Sequence, residues 1–276
     1  MLTHDQRQQF ETQGYVIVSG LFSQDEAALY RDHYMQMGQE QNGDVDIADP
    51  RTSDPLLRYP RLMHMHRHDQ VSLDWLLAPR IAECLSALLG REPYAVQTMH
   101  YFKPAGARGQ ALHQDNYYLR VQPGTCIAAW MALDPCDEVN GCLQVVPGSH
   151  EWPVLCTVPA DTTQSFTDVV VPIPTGTPIQ PVIMQPGDVL FFNGQIVHGS
   201  LPNTSSDRFR RSLIGHYIEG DTERVASWYR PALRMDGSEL ILPASPGGSQ
   251  CGVWVDQDGA PQIEVSGFEM VERASE

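Results

Sequence analysis

The sequence predicts an α+β domain in which helices come first and a jelly roll, barrel or sandwich of short strands follows. Three observations carry this. Helix-start signals are confined to residues 1–93, strand-like runs punctuated by Pro and Gly fill 94–220, and the two kinds of segment do not alternate as they would in a doubly wound sheet.

Taken in order, Thr3 and Gln6 have capping-box spacing and open a helix that runs to Gln13, where Gly14 stops it. Tyr15–Val18 is β-branched and aromatic, hence a strand. Ser23 and Glu26 form a second capping box, opening a helix to about Met37. Residues 39–54 are polar, rich in Asp and contain Gly43, which predicts a loop. Pro79–Leu89 is a helix with proline in its first turn and Gly90 just past its end. Strands are expected at Ala95–Phe102, Ala111–Tyr118, Cys126–Leu133, Leu143–Val146, Asp188–Phe192 and Ser212–Ile218. The tail after Gly220 carries Trp228 and Tyr229, a Gly/Pro/Ser-rich stretch to Ser249 and a last strand pair. It has too little apolar content to stand alone. The expectation is one domain over residues 1–276, with a helical part at 1–93, a barrel at 94–220 and a tail packed on the barrel.

Lys and Arg number 18 against 34 Asp and Glu, a net charge of −16, which argues against nucleic acid or an anionic membrane as partner. No stretch approaches the roughly 20 apolar residues of a membrane span. The first residues lack the basic start and apolar run of a secretory signal, so a cytosolic location is expected. Six cysteines at irregular spacings, without a CxxC pair, read as reduced and buried.

The chemistry starts at His113-Gln114-Asp115. Residues i and i+2 of a strand share a face, so an imidazole and a carboxylate would point together into the barrel while Gln114 faces away. His198 follows beyond the end of the run that begins at Pro186-Gly187-Asp188. Two histidines and a carboxylate on one face of an octahedron leave three positions open, the arrangement of iron(II) oxygenases in which 2-oxoglutarate takes two and dioxygen the third. His-x-Asp alone is a weak pattern. The weight comes from Arg210 and Ser212, another i, i+2 pair, where a guanidinium can clamp the distal carboxylate of 2-oxoglutarate and a hydroxyl adds a hydrogen bond. Arg208 and Arg211 read as solvated strand-edge charges.

With these residues in place, the sequence resembles the phytanoyl-CoA dioxygenase family of iron/2-oxoglutarate oxygenases. The resembling stretches are Lys103-Pro-Ala-Gly, Leu112-His-Gln-Asp115, Ala128 to Asp134, Asn140-Gly-Cys-Leu-Gln-Val-Val-Pro-Gly-Ser-His150, Pro186-Gly-Asp-Val and His198-Gly-Ser200. The resemblance implies a double-stranded β-helix, a jelly-roll barrel flanked by helices. It implies iron(II) on His113, Asp115 and His198, 2-oxoglutarate on Arg210, and Ser200, Trp130 and Met99 around the co-substrate. The gap from His198 to Arg210 is one residue longer than the family's usual spacing, so Arg208 stands as the alternative. A carboxylate at Asp115, where halogenating relatives carry a small residue, implies hydroxylation. Asn140-Gly141 and Pro147-Gly148 are expected to make turns with φ > 0 at glycine, and His150 to be structural.

For the substrate, Arg58 to His68 forms a local cationic and imidazole cluster (Arg58, Arg61, His64, His66, Arg67, His68) in an acidic chain, which favours a small anionic or zwitterionic metabolite. A structural ion-pair network with Asp54 and Asp69 is the equal alternative. A second metal site there is disfavoured, and Met63 and Met65 read as core. Tyr94, Gln97, Asn116, Tyr117 and Tyr118 are further pocket candidates. With this cluster and its compactness the chain resembles the bacterial branch of the family that hydroxylates small organophosphonates, and the resemblance implies a substrate such as 2-aminoethylphosphonate, ahead of an amino-acid or ectoine-type metabolite and an acyl-CoA. Rival classes are a zinc or manganese jelly roll acting as isomerase or hydrolase, and a binding module without catalysis.

Overall fold

A computed structural model describes residues 2–40 and 53–270. The helical part comprises α1 (His4–Gln13), β1 (Tyr15–Val18), α2 (Gln24–Glu40), α3 (Pro55–Arg58), β2 (Leu62–Met63), α4 (Gln70–Leu76) and α5 (Pro79–Leu89). The strand-rich part follows with β3 (Pro93–Tyr101), β4 (Gln110–His113), α6 (Asp115–Leu119), β5 (Cys126–Ala132), β6 (Leu143–Val145), β7 (Val158–Pro159), β8 (Val169–Val170), β9 (Gln180–Val182), β10 (Val189–Asn193), β11 (His198–Ser200) and β12 (Ser212–Glu219). The tail adds β13 (Ala232–Arg234), β14 (Glu239–Leu240), β15 (Gly248–Gln257) and β16 (Ala260–Met270).

The helix boundaries follow local chemistry. Thr3 and Gln6 exchange both capping-box hydrogen bonds, and Gly14 closes α1 at φ 80°. Ser23 and Glu26 do the same for α2. Pro79 sits in the first turn of α5 and Gly90 ends it at φ 70°. Of the loop expected at 39–54, residues 41–52 lie outside the described residues.

Two antiparallel sheets make the jelly roll. The larger runs β1-β10-β5-β12-β3-β13-β14 with β2 beside β3, and the smaller runs β4-β11-β6-β9. Alternation along each strand sorts side chains between two cores. Ala129 and Met131 of β5, Phe191 of β10, and Leu213 and Tyr217 of β12 face Trp75, Leu76, Ile81 and Leu85 of the helices. Ala128, Trp130, Leu190, Phe192 and Ile214 point inward with Leu143, Val145 and Val182 of the smaller sheet. The registers align two inward rows across the large sheet: Leu190–Trp130–Ile214–Met99 and Phe192–Ala128–His216–Gln97.

Three expectations need correction. The strand expected over Ala111–Tyr118 stops at His113, and Asp115 starts the short helix α6. The chain turns because the Tyr117 N–H donates to the Gln114 carbonyl and the Asn116 N–H to Gly194, taking this backbone out of any sheet ladder. His198, expected beyond a strand end, opens a strand of its own, β11. Finally, the cysteines are not all reduced. Cys84, Cys126, Cys136 and Cys142 are buried thiols, but Cys156 and Cys251 form a disulfide across 95 residues. That pairing is made by tertiary packing: Cys156 N–H donates to Gly252 and Gly252 N–H to Val154, laying β15 along the 154–156 segment.

Candidate active site

His113 ends β4, His198 begins β11, and the two are direct cross-strand partners with ring centroids 4.2 Å apart. Gln114 keeps an extended backbone, φ −123° and ψ 126°, so Asp115 returns to the same side as His113 even though a helix begins there. Gln114 faces away, donating to the Pro153 and Gln195 carbonyls and accepting from the Leu155 N–H. Asp115 Oδ1 lies 3.5 Å from His113 Nε2 and 3.7 Å from His198 Nε2. The three ligand atoms all fall within 4.8 Å of one another, and all three residues are buried.

Hydrogen bonding fixes how these groups present themselves. His113 Nδ1 lies 2.9 Å from the Ala111 carbonyl and His198 Nδ1 3.1 Å from that of Ile196. A carbonyl can only accept, so each ring donates Nδ1–H and turns an Nε2 lone pair to the common point. The Gln110 carboxamide, 3.2 Å from His113 Nε2, fits that tautomer. On the other oxygen of the carboxylate, His216 Nε2 stands 3.0 Å from Asp115 Oδ2. Burial pushes the Asp115 carboxyl up, yet His198, His216 and His113 outweigh it and hold the group well below the usual carboxylate range. Burial, with His113 adding to it, pushes His198 down to about 4. Two imidazoles and one anionic carboxylate therefore converge, a donor set that fits a divalent iron with its other positions free.

Behind the inward row lies a second constellation. Arg210, 3% exposed, donates from Nε to the Gly141 carbonyl and from Nη1 to Ser212 Oγ, with its guanidinium 5.3 Å from the Trp130 ring centroid. Gly141 holds φ 81°, and a side chain there would meet Leu201 and Lys103. Lys103, also 3% exposed, donates to Ser200 Oγ at 2.8 Å. Burial lowers the pKa of both cations, and Arg210 lowers that of Lys103 further. Among the described residues neither reaches a carboxylate. Two buried cations with hydroxyls and no acid make a receptor for an anion, because such charges are costly to bury without a counter-charge. Arg208 instead lies at the surface in an ion pair with Asp137, and Arg211 is paired with Asp134 rather than solvated. His150 packs structurally, its Nε2 3.1 Å from the Glu11 carbonyl.

A cavity of about 750 Å³ opens onto the triad. Of the residues singled out for substrate, Arg61, Gln97, Tyr117 and Tyr118 line it, and so do Met99 and Trp130. The others turn elsewhere. Asn116 Oδ1 accepts from Val121 N–H, His66 Nδ1 meets Thr98 Oγ1, Arg67 donates to the Trp228 carbonyl and Tyr94 to that of Gly220. From the Arg58–His68 cluster Arg61 and Met63 reach the wall, while Met65 is core. Burial pushes His64 down to about 2 and His66 to about 4, so these imidazoles are neutral near pH 7. Asp69 bonds His33 and Asp54 reaches Arg108.

Lys103, His216 and Arg120 escaped the sequence reading, as did the part of the wall supplied by the tail (Trp228, Tyr229, Phe268, Glu269 and Met270). His216 was legible in principle: Ser212, Ile214 and His216 share one strand face, and the first had been singled out.

The fold and the site define an iron- and 2-oxoglutarate-dependent oxygenase. A family model described as phytanoyl-CoA dioxygenase (PhyH) matches residues 10–212, and the chain belongs to that family. It is 30% identical over 160 residues to phytanoyl-CoA dioxygenase 1 of Oryza sativa subsp. japonica, covering 58% of this chain and 56% of that protein. It is 25% identical to phytanoyl-CoA dioxygenase of Arabidopsis thaliana, covering 88% of this chain and 98% of the relative. In three dimensions it is similar to EctD from S. alaskensis, solved with 2-oxoglutarate and 5-hydroxyectoine, at a TM-score of 0.65 and 20% identity over 89% of this chain and 88% of the other. No helix among the described residues is long and apolar enough to cross a membrane.

Proposed function

We propose that the protein hydroxylates a C–H bond of a small anionic or zwitterionic metabolite, using iron(II), 2-oxoglutarate and dioxygen. The observation that carries this is the pairing of the His113–Asp115–His198 triad with an acid-free pair of buried cations, Arg210 and Lys103, behind the same inward face. Bound iron would couple decarboxylation of 2-oxoglutarate to oxidation of the C–H bond. The chain's own share is placement and exclusion. His113, Asp115 and His198 hold the metal, and His216 fixes the carboxylate that joins them. Arg210 and Ser212 take the distal carboxylate of 2-oxoglutarate, with Lys103 through Ser200 on its flank and Trp130 and Met99 keeping water out. A zinc isomerase would have no use for the cation pair, and a simple binding module none for the metal triad beside it.

For the substrate, 2-aminoethylphosphonate remains in the proposal, with amino-acid and ectoine-type metabolites as the second choice. The cavity, at about 750 Å³, falls within the ordinary range of small-molecule sites, and Tyr101, Tyr118, Phe166 and Trp228 on its walls would pack against the apolar part of such a molecule. A cytosolic location belongs to the same reading. There the Cys156–Cys251 pair would stand as thiols, so counting free thiols in protein from cells tests it.

The deciding experiment measures succinate release with iron(II) and ascorbate against phosphonates, amino acids, ectoine and acyl-CoAs. We expect 2-oxoglutarate turnover that a member of the panel accelerates, that zinc does not support and that His198→Ala abolishes. Turnover with zinc, or none with iron under any condition, refutes the assignment.

A further inference from the structure

We infer that Arg120 anchors an anionic oxygen group of the substrate, a carboxylate or a phosphonate-type oxyanion. This deepens the oxygenase reading and rests on it for the reaction, though not for the binding. Arg120 lines the same cavity as the triad and caps α6, the helix whose first residue is the metal ligand Asp115. Its guanidinium makes no ion pair or hydrogen bond among the described residues, and its Nε is buried without a partner. The groups facing it are phenols: burial lowers its pKa, with Tyr229 and Tyr117 acting against that. A desolvated cation on a cavity wall with unused donors is built to receive an oxyanion.

The backbone supports the same conclusion. Arg120 sits at φ 48° and ψ 48°, the left-handed conformation that helix ends normally give to glycine or asparagine. The surroundings enforce it: its N–H donates to the Asn116 carbonyl, its own carbonyl accepts from Ser245 Oγ at 2.6 Å, and Asn116 Oδ1 takes the next N–H, that of Val121. The arginine thus stands at a backbone cost where glycine fits better, held from both sides with its side chain on the cavity wall. An ordinary C-cap role does not account for it, because the guanidinium donates to none of the helix carbonyls. Of the acids on the same wall, Glu269 is engaged with Thr157 N–H at 2.8 Å, and none forms an ion pair with Arg120 among the described residues. Asp115 and Arg120 are five positions apart, about 7.5 Å along a helix axis, so the anionic end of a metabolite held there leaves its body near the triad.

The test is calorimetric titration of the iron- and 2-oxoglutarate-loaded protein, without oxygen, using phenylphosphonate, phenylacetate and the neutral benzyl alcohol. We expect the unaltered protein to bind at least one of the two anions at about 10 mM or below, the preferred one telling phosphonate from carboxylate. Arg120→Gln should weaken that anion about 10- to 100-fold, the range of one or two charge-assisted hydrogen bonds, and Arg120→Lys should restore part of it. Benzyl alcohol should be indifferent to both substitutions. Equal anion binding by Arg120→Gln, no anion binding by the unaltered protein at that concentration, or equal losses for benzyl alcohol each overturn the inference. Succinate release is not involved, so the oxygenase assignment stands or falls separately.

Discussion

Replacing Arg210 with methionine keeps an unbranched apolar stem and removes the guanidinium and its charge. In the protein without co-substrate this deletes two hydrogen bonds, to the Gly141 carbonyl and Ser212 Oγ, at about 1 kcal/mol each. Part of that loss is offset because a cation no longer has to be buried, so the fold should survive. For 2-oxoglutarate the result is different. Its distal carboxylate would enter a dry site with Lys103 as the remaining cation, and losing one partner of a buried ion pair costs about 3–5 kcal/mol. At about 1.4 kcal/mol per factor of ten, the co-substrate should bind about 10²- to 4 × 10³-fold more weakly. Titration of 2-oxoglutarate into the iron-loaded protein without oxygen, for the unaltered chain and for Arg210→Met and Arg208→Met, measures this. Arg208 lies in an exposed ion pair worth at most about 1 kcal/mol, so its replacement should leave the affinity within about threefold. Should Arg208→Met carry the loss, or Arg210→Met show none, the argument that an acid-free buried cation marks the co-substrate's seat is refuted.

His216→Phe leaves Asp115 Oδ2 without its imidazole partner and should weaken iron binding about 10- to 100-fold, read by competition with a chelator. His216→Gln, which retains a donor, should recover part of it, and unchanged iron affinity in the Phe variant would remove the positioning role. Burial and Arg210 depress the pKa of Lys103 in the free protein, and an arriving dianion raises it again. Binding of 2-oxoglutarate should therefore take up as much as about one proton above the depressed pKa, and its affinity should fall as pH rises. Calorimetry in buffers of different ionisation enthalpy tests this, and a buffer-independent heat at every pH below the ordinary lysine range would sink it. Replacing Cys156 and Cys251 together with serine frees a 95-residue loop and should cost about 2–4 kcal/mol in urea denaturation. An unmoved midpoint would mean the crosslink is idle.

The sequence carried more of the metal centre than of the substrate wall, for a physical reason. Capping boxes, glycine stops and period-two strands are local signals, and they located α1, α5, β5 and β12 within a residue or two. The geometry expected for His113 and Asp115 survived a wrong premise. Asp115 is helical, but one extended residue between them is all the i, i+2 rule requires. The disulfide joins positions 95 apart, and no local pattern could have paired them. The Arg58–His68 cluster divides, because composition does not say which way a side chain turns: Arg67 bonds the Trp228 carbonyl while Arg61 reaches the cavity. Lys103 was visible within Lys103-Pro-Ala-Gly but silent, since its function depends on being dry, and burial is a tertiary property.

The family model ends at residue 212, and the tail beyond it supplies Trp228, Tyr229, Phe268, Glu269 and Met270 to the cavity wall. The last three ride on a hairpin fastened by the disulfide and by Glu269 to the 154–157 segment. Part of the selecting wall thus lies outside the stretch that the family model describes. A lineage could exchange the terminal hairpin and so change which molecule is admitted, while the machinery that burns the C–H bond stayed untouched.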